Sequence, residues 1–203
     1  MSVELVAGLI VFAVVTLFTP GPNNLMLMAS GLNYGFERTQ PHVIGVALGF
    51  GFMVLLIGLG IGAVFAAYPG LYSVLKFVGA AYLLYLAWRI ATAPSIENDG
   101  GGGSGRPMTF FQAVAFQWVN PKGWVMAIAS VTAYAALLAF PFNIMAIAAV
   151  FAILGLLSAW TWVLFGLGIK RLVTNQRAVR IVNVGMALAL VASLYPVFAG
   201  HAI

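Results

Sequence analysis

Long apolar runs alternate with short charged or turn-forming stretches along the whole chain, and their spacing predicts helices that cross a membrane. Six runs stand out. The first, 5–31, is interrupted by Thr19-Pro20-Gly21-Pro22-Asn23-Asn24, and the second, 43–67, is free of charge and stops at Tyr68-Pro69-Gly70. The third, 71–91, carries Lys76 and Arg89 near its ends, where long cationic side chains reach the headgroups. The fourth, 108–140, holds Lys122 deep inside it; the fifth, 144–169, follows a turn at Pro141-Phe142-Asn143; the sixth covers 181–201. Each has the roughly 20 residues a span requires, and a helix satisfies its own backbone in lipid. The expected fold is an all-α integral membrane protein with six transmembrane helices.

Charge gives these spans a direction. The connections after spans 1, 3 and 5 hold Arg38; Arg89 and Arg106; and Lys170, Arg171, Arg177 and Arg180, seven of the nine cations. Cytoplasmic loops collect Lys and Arg, so these connections are expected inside and both termini in the periplasm. Residues 95–107, with Gly and Ser filling 100–105, read as a flexible cytoplasmic linker between a three-helix half, 1–94, and another, 108–203. Thr19-Pro20 and Asn120-Pro121 lie 101 positions apart, each followed by a short apolar stretch ending in a serine, Ser30 and Ser130. Three crossings are an odd number, so the second half enters the bilayer upside down, the inverted repeat typical of secondary transporters.

Composition closes off other classes. With 63% hydrophobic and 6% charged residues in 203, neither a soluble fold nor a sizeable extramembrane domain is expected. The start, Met1-Ser2-Val3-Glu4, lacks a positive n-region, so the first run is expected to stay as a span. The chain has no cysteine and two histidines, His42 and His201, too few for a metal cage. The net charge of +5 is strung out between apolar runs, which fits membrane topology and no nucleic-acid partner.

The candidate chemistry sits at the two interruptions. Proline removes a backbone donor and clashes with the preceding turn, so Pro20 and Pro22 around Gly21, and Pro121 in span 4, should break their helices near the midplane. Amides of Asn23, Asn24 and Leu25 would then start a half-helix whose partial positive charge favours a carboxylate. Lys122 adds a full charge one residue past the second break. A lysine at the bilayer centre costs at least about 2.5–3.5 kcal/mol, which argues for contact with an anionic group of a substrate over the alternative, an ammonium donating to carbonyls freed at the other break. The candidate substrate-binding residues are Thr19, Pro20, Gly21, Pro22, Asn23, Asn24, Asn120, Pro121 and Lys122. Gln117 and Asn120, polar in lipid, need partners inside the bundle. The four acids, Glu4, Glu37, Glu97 and Asp99, all lie at ends or in loops, so proton-coupling candidates reduce to Lys122 and to His42 at the mouth of span 2.

These residues carry a resemblance. Phe18-Thr19-Pro20-Gly21-Pro22-Asn23, Gly35-Phe36-Glu37-Arg38, Gly45-Val46-Ala47-Leu48-Gly49 and Asn120-Pro121-Lys122 together resemble the LysE/RhtB family of bacterial amino-acid exporters. The resemblance implies an inner-membrane exporter of amino acids or close derivatives, driven by the proton or electrical gradient, with no bound cofactor. Its partners would be the lipid bilayer and a small amino-acid substrate, and a homo-oligomer stays open.

Gly45-x-x-x-Gly49 reads first as close helix packing. Trp88 and Tyr195 read as interfacial anchors, and Trp118 and Trp124 as walls of either the cavity or the lipid face. A metal-ion exporter or a passive channel is the alternative, although thiolates and intramembrane carboxylates for a metal are missing. No nucleophile–base set or metal-hydrolase motif is present, so an enzyme is not expected.

Overall fold

The computed structural model describes residues 2–68, 70–93, 106–173 and 175–199, and all regular structure among them is helical. The linker expected at 95–107 falls outside the described residues except for Arg106 and Pro107. Helix α1 (Val3–Phe18) and α2 (Pro22–Tyr34) are bent by 55° to each other. Proline chemistry accounts for the gap. Pro20 and Pro22 have no amide for the carbonyls of Thr16 and Phe18, and a residue before proline is pushed out of the α region. Thr19 and Gly21, the two residues before those prolines, are both extended, at φ −64°, ψ 133° and φ −172°, ψ −179°.

Gly35, at φ +82°, turns the chain directly into α3 (Phe36–Leu56). The loop expected around Arg38 is therefore the first turn of a helix, and His42 lies inside α3, buried, instead of at its mouth. Glu37 in that first turn complements the positive helix end. A π-helical turn (Ile57–Ile61), in which Gly60 takes φ +127°, joins α3 to α4 (Gly62–Ala67). There follow α5 (Gly70–Ala91), α6 (Phe110–Gln117), α7 (Pro121–Ala133), α8 (Phe142–Leu172), α9 (Gln176–Ala192) and α10 (Tyr195–Phe198). Thr109 and Gln112 close a reciprocal capping box on α6. Asn120, before Pro121, is extended and ends the turn between α6 and α7.

Three stretches are long and apolar enough to cross a membrane: Phe36–Ala67, Ser73–Ala91 and Phe142–Leu172, with α1 and α2 a fourth if the bent pair is one span. The pair α6 and α7, of 8 and 13 residues, and α9, of 17, are shorter than these. Large apolar side chains stand exposed on several helices, among them Phe52, Trp88, Leu164 and Phe165. On a soluble protein such a surface would aggregate; in lipid it costs nothing.

The centre of the bundle is α3 against α8, with α8 also packed on α1 and α2, α6 on α3, and α5 on α9. Most of this packing joins residues 1–94 to residues 108–203, so the two halves interlock. Close backbone approach makes it work. A methyl group placed on Gly166 of α8 would come within 2.1 Å of the Met28 carbonyl oxygen of α2. Gly45 and Gly49 of α3 likewise lie against α6, where a methyl on Gly45 would meet the Phe110 carbonyl at 2.6 Å. Packing is thus what the Gly45–Gly49 spacing serves.

Candidate functional site

Both 13-residue helices, α2 and α7, begin with proline at their first position and have no side-chain cap. Proline is suited to that position because the missing amide would have no intrahelical acceptor there. The amides of Asn23 and Asn24 consequently keep their donor capacity, and both residues line a cavity shared with Gly21, Asn120 and Lys122. The far wall comes from α3 (Val46, Ala47, Phe50) and α8 (Gly155, Ser158, Ala159). The cavity is narrow, about 40 Å³ for a water-sized occupant, too small for an amino acid.

Side chains from elsewhere take up the carbonyls exposed where α1 ends. Leu17 O accepts from Asn24 Nδ2 at 2.9 Å and from Ser158 Oγ at 2.8 Å. Thr19 O accepts from Asn24 Nδ2 at 2.8 Å and from Lys122 Nζ at 2.6 Å. Asn23 and Gln117 form a reciprocal amide pair, Nδ2 to Oε1 at 2.8 Å and Nε2 to Oδ1 at 3.2 Å, which ties the start of α2 to the end of α6. Gln117 Nε2 also donates to Ala113 O. Asn120 is buried, and its Oδ1 has no hydrogen-bond partner. Chemically the cavity offers one ammonium, open helix-start amides, the buried unpaired Asn120 Oδ1 and, among the described residues, no carboxylate.

The sequence profile of the LysE type translocators matches residues 14–194. The chain belongs to the LysE type translocator family. It is similar to the cysteine/O-acetylserine efflux protein of Escherichia coli (strain K12), with 35% identity over 123 residues, 60% of this chain and 61% of the relative. The proteins of that name from Shigella sonnei (strain Ss046) and Shigella flexneri serotype 5b (strain 8401) match at the same identity and coverage. The alignment thus spans about three-fifths of the length of these curated relatives. No solved structure matches the chain.

Within this LysE type translocator, the residues expected at the site divide into three groups. Gly21, Pro22, Asn23, Asn24, Asn120 and Lys122 line the one cavity. Thr19, Pro20 and Pro121 shape the backbone beside it without lining it, Thr19 contributing its carbonyl as the lysine's acceptor. His42 belongs to a second cavity and contacts Ser30 Oγ through Nδ1 at 3.1 Å. Trp124 is buried in an apolar cluster, its ring 4.4 Å from Phe65 and its Nε1 donating to Trp118 O at 2.8 Å, so neither lipid nor cavity is its main neighbour. Sequence reasoning missed Ser158 and Phe50. A lone serine within the apolar run of α8 was the available signal for the first; the phenylalanine had none.

Proposed function

We propose that the protein is a secondary transporter that exports amino acids or close derivatives across the bacterial inner membrane by alternating access, without chemical conversion of the substrate. The observation that carries this reading is the meeting of two uncapped, proline-started helices and Lys122 on one cavity. Helix starts and an ammonium suit a carboxylate, while the buried, unpartnered Asn120 Oδ1 suits an α-ammonium. The names of the relatives point to cysteine and O-acetylserine as the first substrates to try.

The six-span inverted repeat remains the reading of the topology. It is supported by the order of elements: a proline-interrupted pair, a long helix and a third helix recur as α1/α2, α3, α5 and α6/α7, α8, α9. Counted between the first helical prolines, Pro22 and Pro121, the repeat offset is 99, so Pro22 and not Pro20 is the counterpart of Pro121. The contact of α3 with α8 and of α5 with α9 is what a two-fold relation between halves would produce. Positive-inside counting places the Arg38, Arg89 and Arg106 end in the cytoplasm and the termini in the periplasm, and the proton or electrical gradient supplies the drive. An amino acid needs more room than the cavity gives, so the helices around it must part on one side or the other during the cycle.

The test is efflux. Cells preloaded with labelled O-acetylserine, cysteine and a panel of common amino acids should lose at least one of them faster with the protein than without, and proteoliposomes should show counterflow of the same compound. Equal loss for the whole panel with well-expressed protein would sink the reading, and flux without counterflow would indicate a channel.

A further inference from the structure

The second cavity lies farther along α2, past Met26, toward the C-terminal end of that helix. Met26, Ser30 and Asn33 of α2, His42 of α3, Arg89 of α5 and Arg106 are among the residues around it. It is small, about 50 Å³ for a water-sized occupant, and among the described residues no acid lines it. His42 is 1% exposed, and its Nε2 has no hydrogen-bond partner. A buried, unpaired ring nitrogen is costly to leave so, and it stands in a space flanked by two guanidinium-bearing residues. When Ser30 donates to Nδ1, Nε2 carries the hydrogen and is left as a buried donor on a residue that lines the cavity. Arg89 Nη2 donates to the Arg106 carbonyl at 3.4 Å, which holds the two arginine-bearing segments side by side. A shallower depression of about 290 Å³ shares Arg106, Pro107 and Met108 with it and adds Arg38.

We propose that this second cavity is a carboxylate site: His42 Nε2 and the Arg89 and Arg106 guanidiniums receive the carboxylate of a small solute, and the body of that solute lies in the adjoining depression. The ends of α2 and α5 oppose an anion there, each with about half a negative charge, but two full cationic charges outweigh them. Size agrees for the inner space, which fits a carboxylate group. On the export reading, this is where a cytoplasmic amino acid first docks before it moves along α2 to the cavity at Lys122; that role rests on the transport reading, whereas the site itself does not.

The experiment uses the full chain in nanodiscs with ¹⁵N-labelled histidine. The chain has two histidines, so His201→Asn leaves His42 as the sole signal. At constant ionic strength, acetate should shift the His42 Nε2 resonance saturably and methylammonium should not. Arg106→Gln should weaken the acetate response roughly tenfold or more, and Lys122→Met should leave it unchanged. No acetate response, a response to methylammonium instead, or a response abolished by Lys122→Met but not by Arg106→Gln would each overturn the proposal. Tighter binding of glycerol phosphate than of acetate would assign the cavity to a lipid headgroup and overturn it too. Because the readout needs no flux, a protein that binds acetate here but exports nothing keeps the site and loses the transport reading.

Discussion

Replacing Lys122 with methionine separates the two roles the lysine has in view. Its Nζ donates to Thr19 O at 2.6 Å, a hydrogen bond from a charged donor that is worth about 1.5–3 kcal/mol. Set against that is the cost of holding an ammonium in the membrane, about 2.5–3.5 kcal/mol at the centre of a span. The two nearly cancel. Thr19 O also keeps its second donor, Asn24 Nδ2, when the lysine is gone, and the methionine stem still fills the space beside Gly21, where a methyl would come within 2.9 Å of the lysine Cδ. Lys122→Met should therefore leave the thermal midpoint of the purified protein within a few degrees of wild type. Substrate affinity should behave differently. A carboxylate that loses its charged partner loses about 1.5–3 kcal/mol, a roughly ten- to hundredfold rise in Kd. The assays are thermal unfolding in detergent and equilibrium binding of labelled O-acetylserine, or of whichever compound the efflux panel identifies. A midpoint that falls steeply while Kd stays put would refute the argument and leave the lysine as a tie between two helix ends.

Other outcomes follow from the same geometry. Converting Pro20 and Pro22 together to alanine restores amides for the Thr16 and Phe18 carbonyls and should let α1 run on into α2, so the double mutant should insert but not export; normal efflux at normal expression would count against the need for the break. Gly166→Val puts a side chain onto the Met28 carbonyl and should remove the folded peak in size-exclusion chromatography, whereas Gly168→Val, with nothing within 4 Å of the new carbon, should keep it. Cysteines introduced singly at Gln176 and Val3 of this cysteine-free chain should respectively resist and accept a membrane-impermeant thiol reagent applied to intact cells; labelling at Gln176 from outside would invert the topology.

The proline-bearing interruptions were legible because proline acts locally: it deprives one known carbonyl of its donor and constrains the residue before it, whatever the rest of the chain does. That Lys122 and Asn120 would turn inward to a cavity was legible for a related reason, since polarity in an apolar run is a conspicuous cost. What the chain order hides is pairing across the bundle. Asn33 and Asn183 exchange two hydrogen bonds at 2.9 and 3.0 Å across 150 positions, and nothing near either residue announces the other. The same holds for Ser158, which finds a carbonyl at the end of α1. The start of α3 escaped because Glu37, Arg38 and Pro41 look like loop residues, yet Gly35 alone separates the two helices and α3 tolerates all three within its first two turns. On the proposed repeat the offset becomes 99 and not 101, because Pro20 lies in the gap and Pro22 opens the helix.

The balance of donors and acceptors at the break explains why the cavity has the polarity it does. Interrupting a helix frees carbonyls on one side and amides on the other, in similar number. Here the carbonyls of Leu17 and Thr19 are taken by Asn24, Ser158 and Lys122, drawn from three different helices. The amides at the start of α2 receive no such partner, because its cap is Gly21, which has no side chain to offer. A serine or aspartate at that position would satisfy one of them. Glycine leaves them open, and it also leaves the space that the Lys122 side chain occupies. Open donors beside Lys122, with the buried Asn120 Oδ1 left without a donor, are what the proposed solute with one carboxylate and one ammonium would complete.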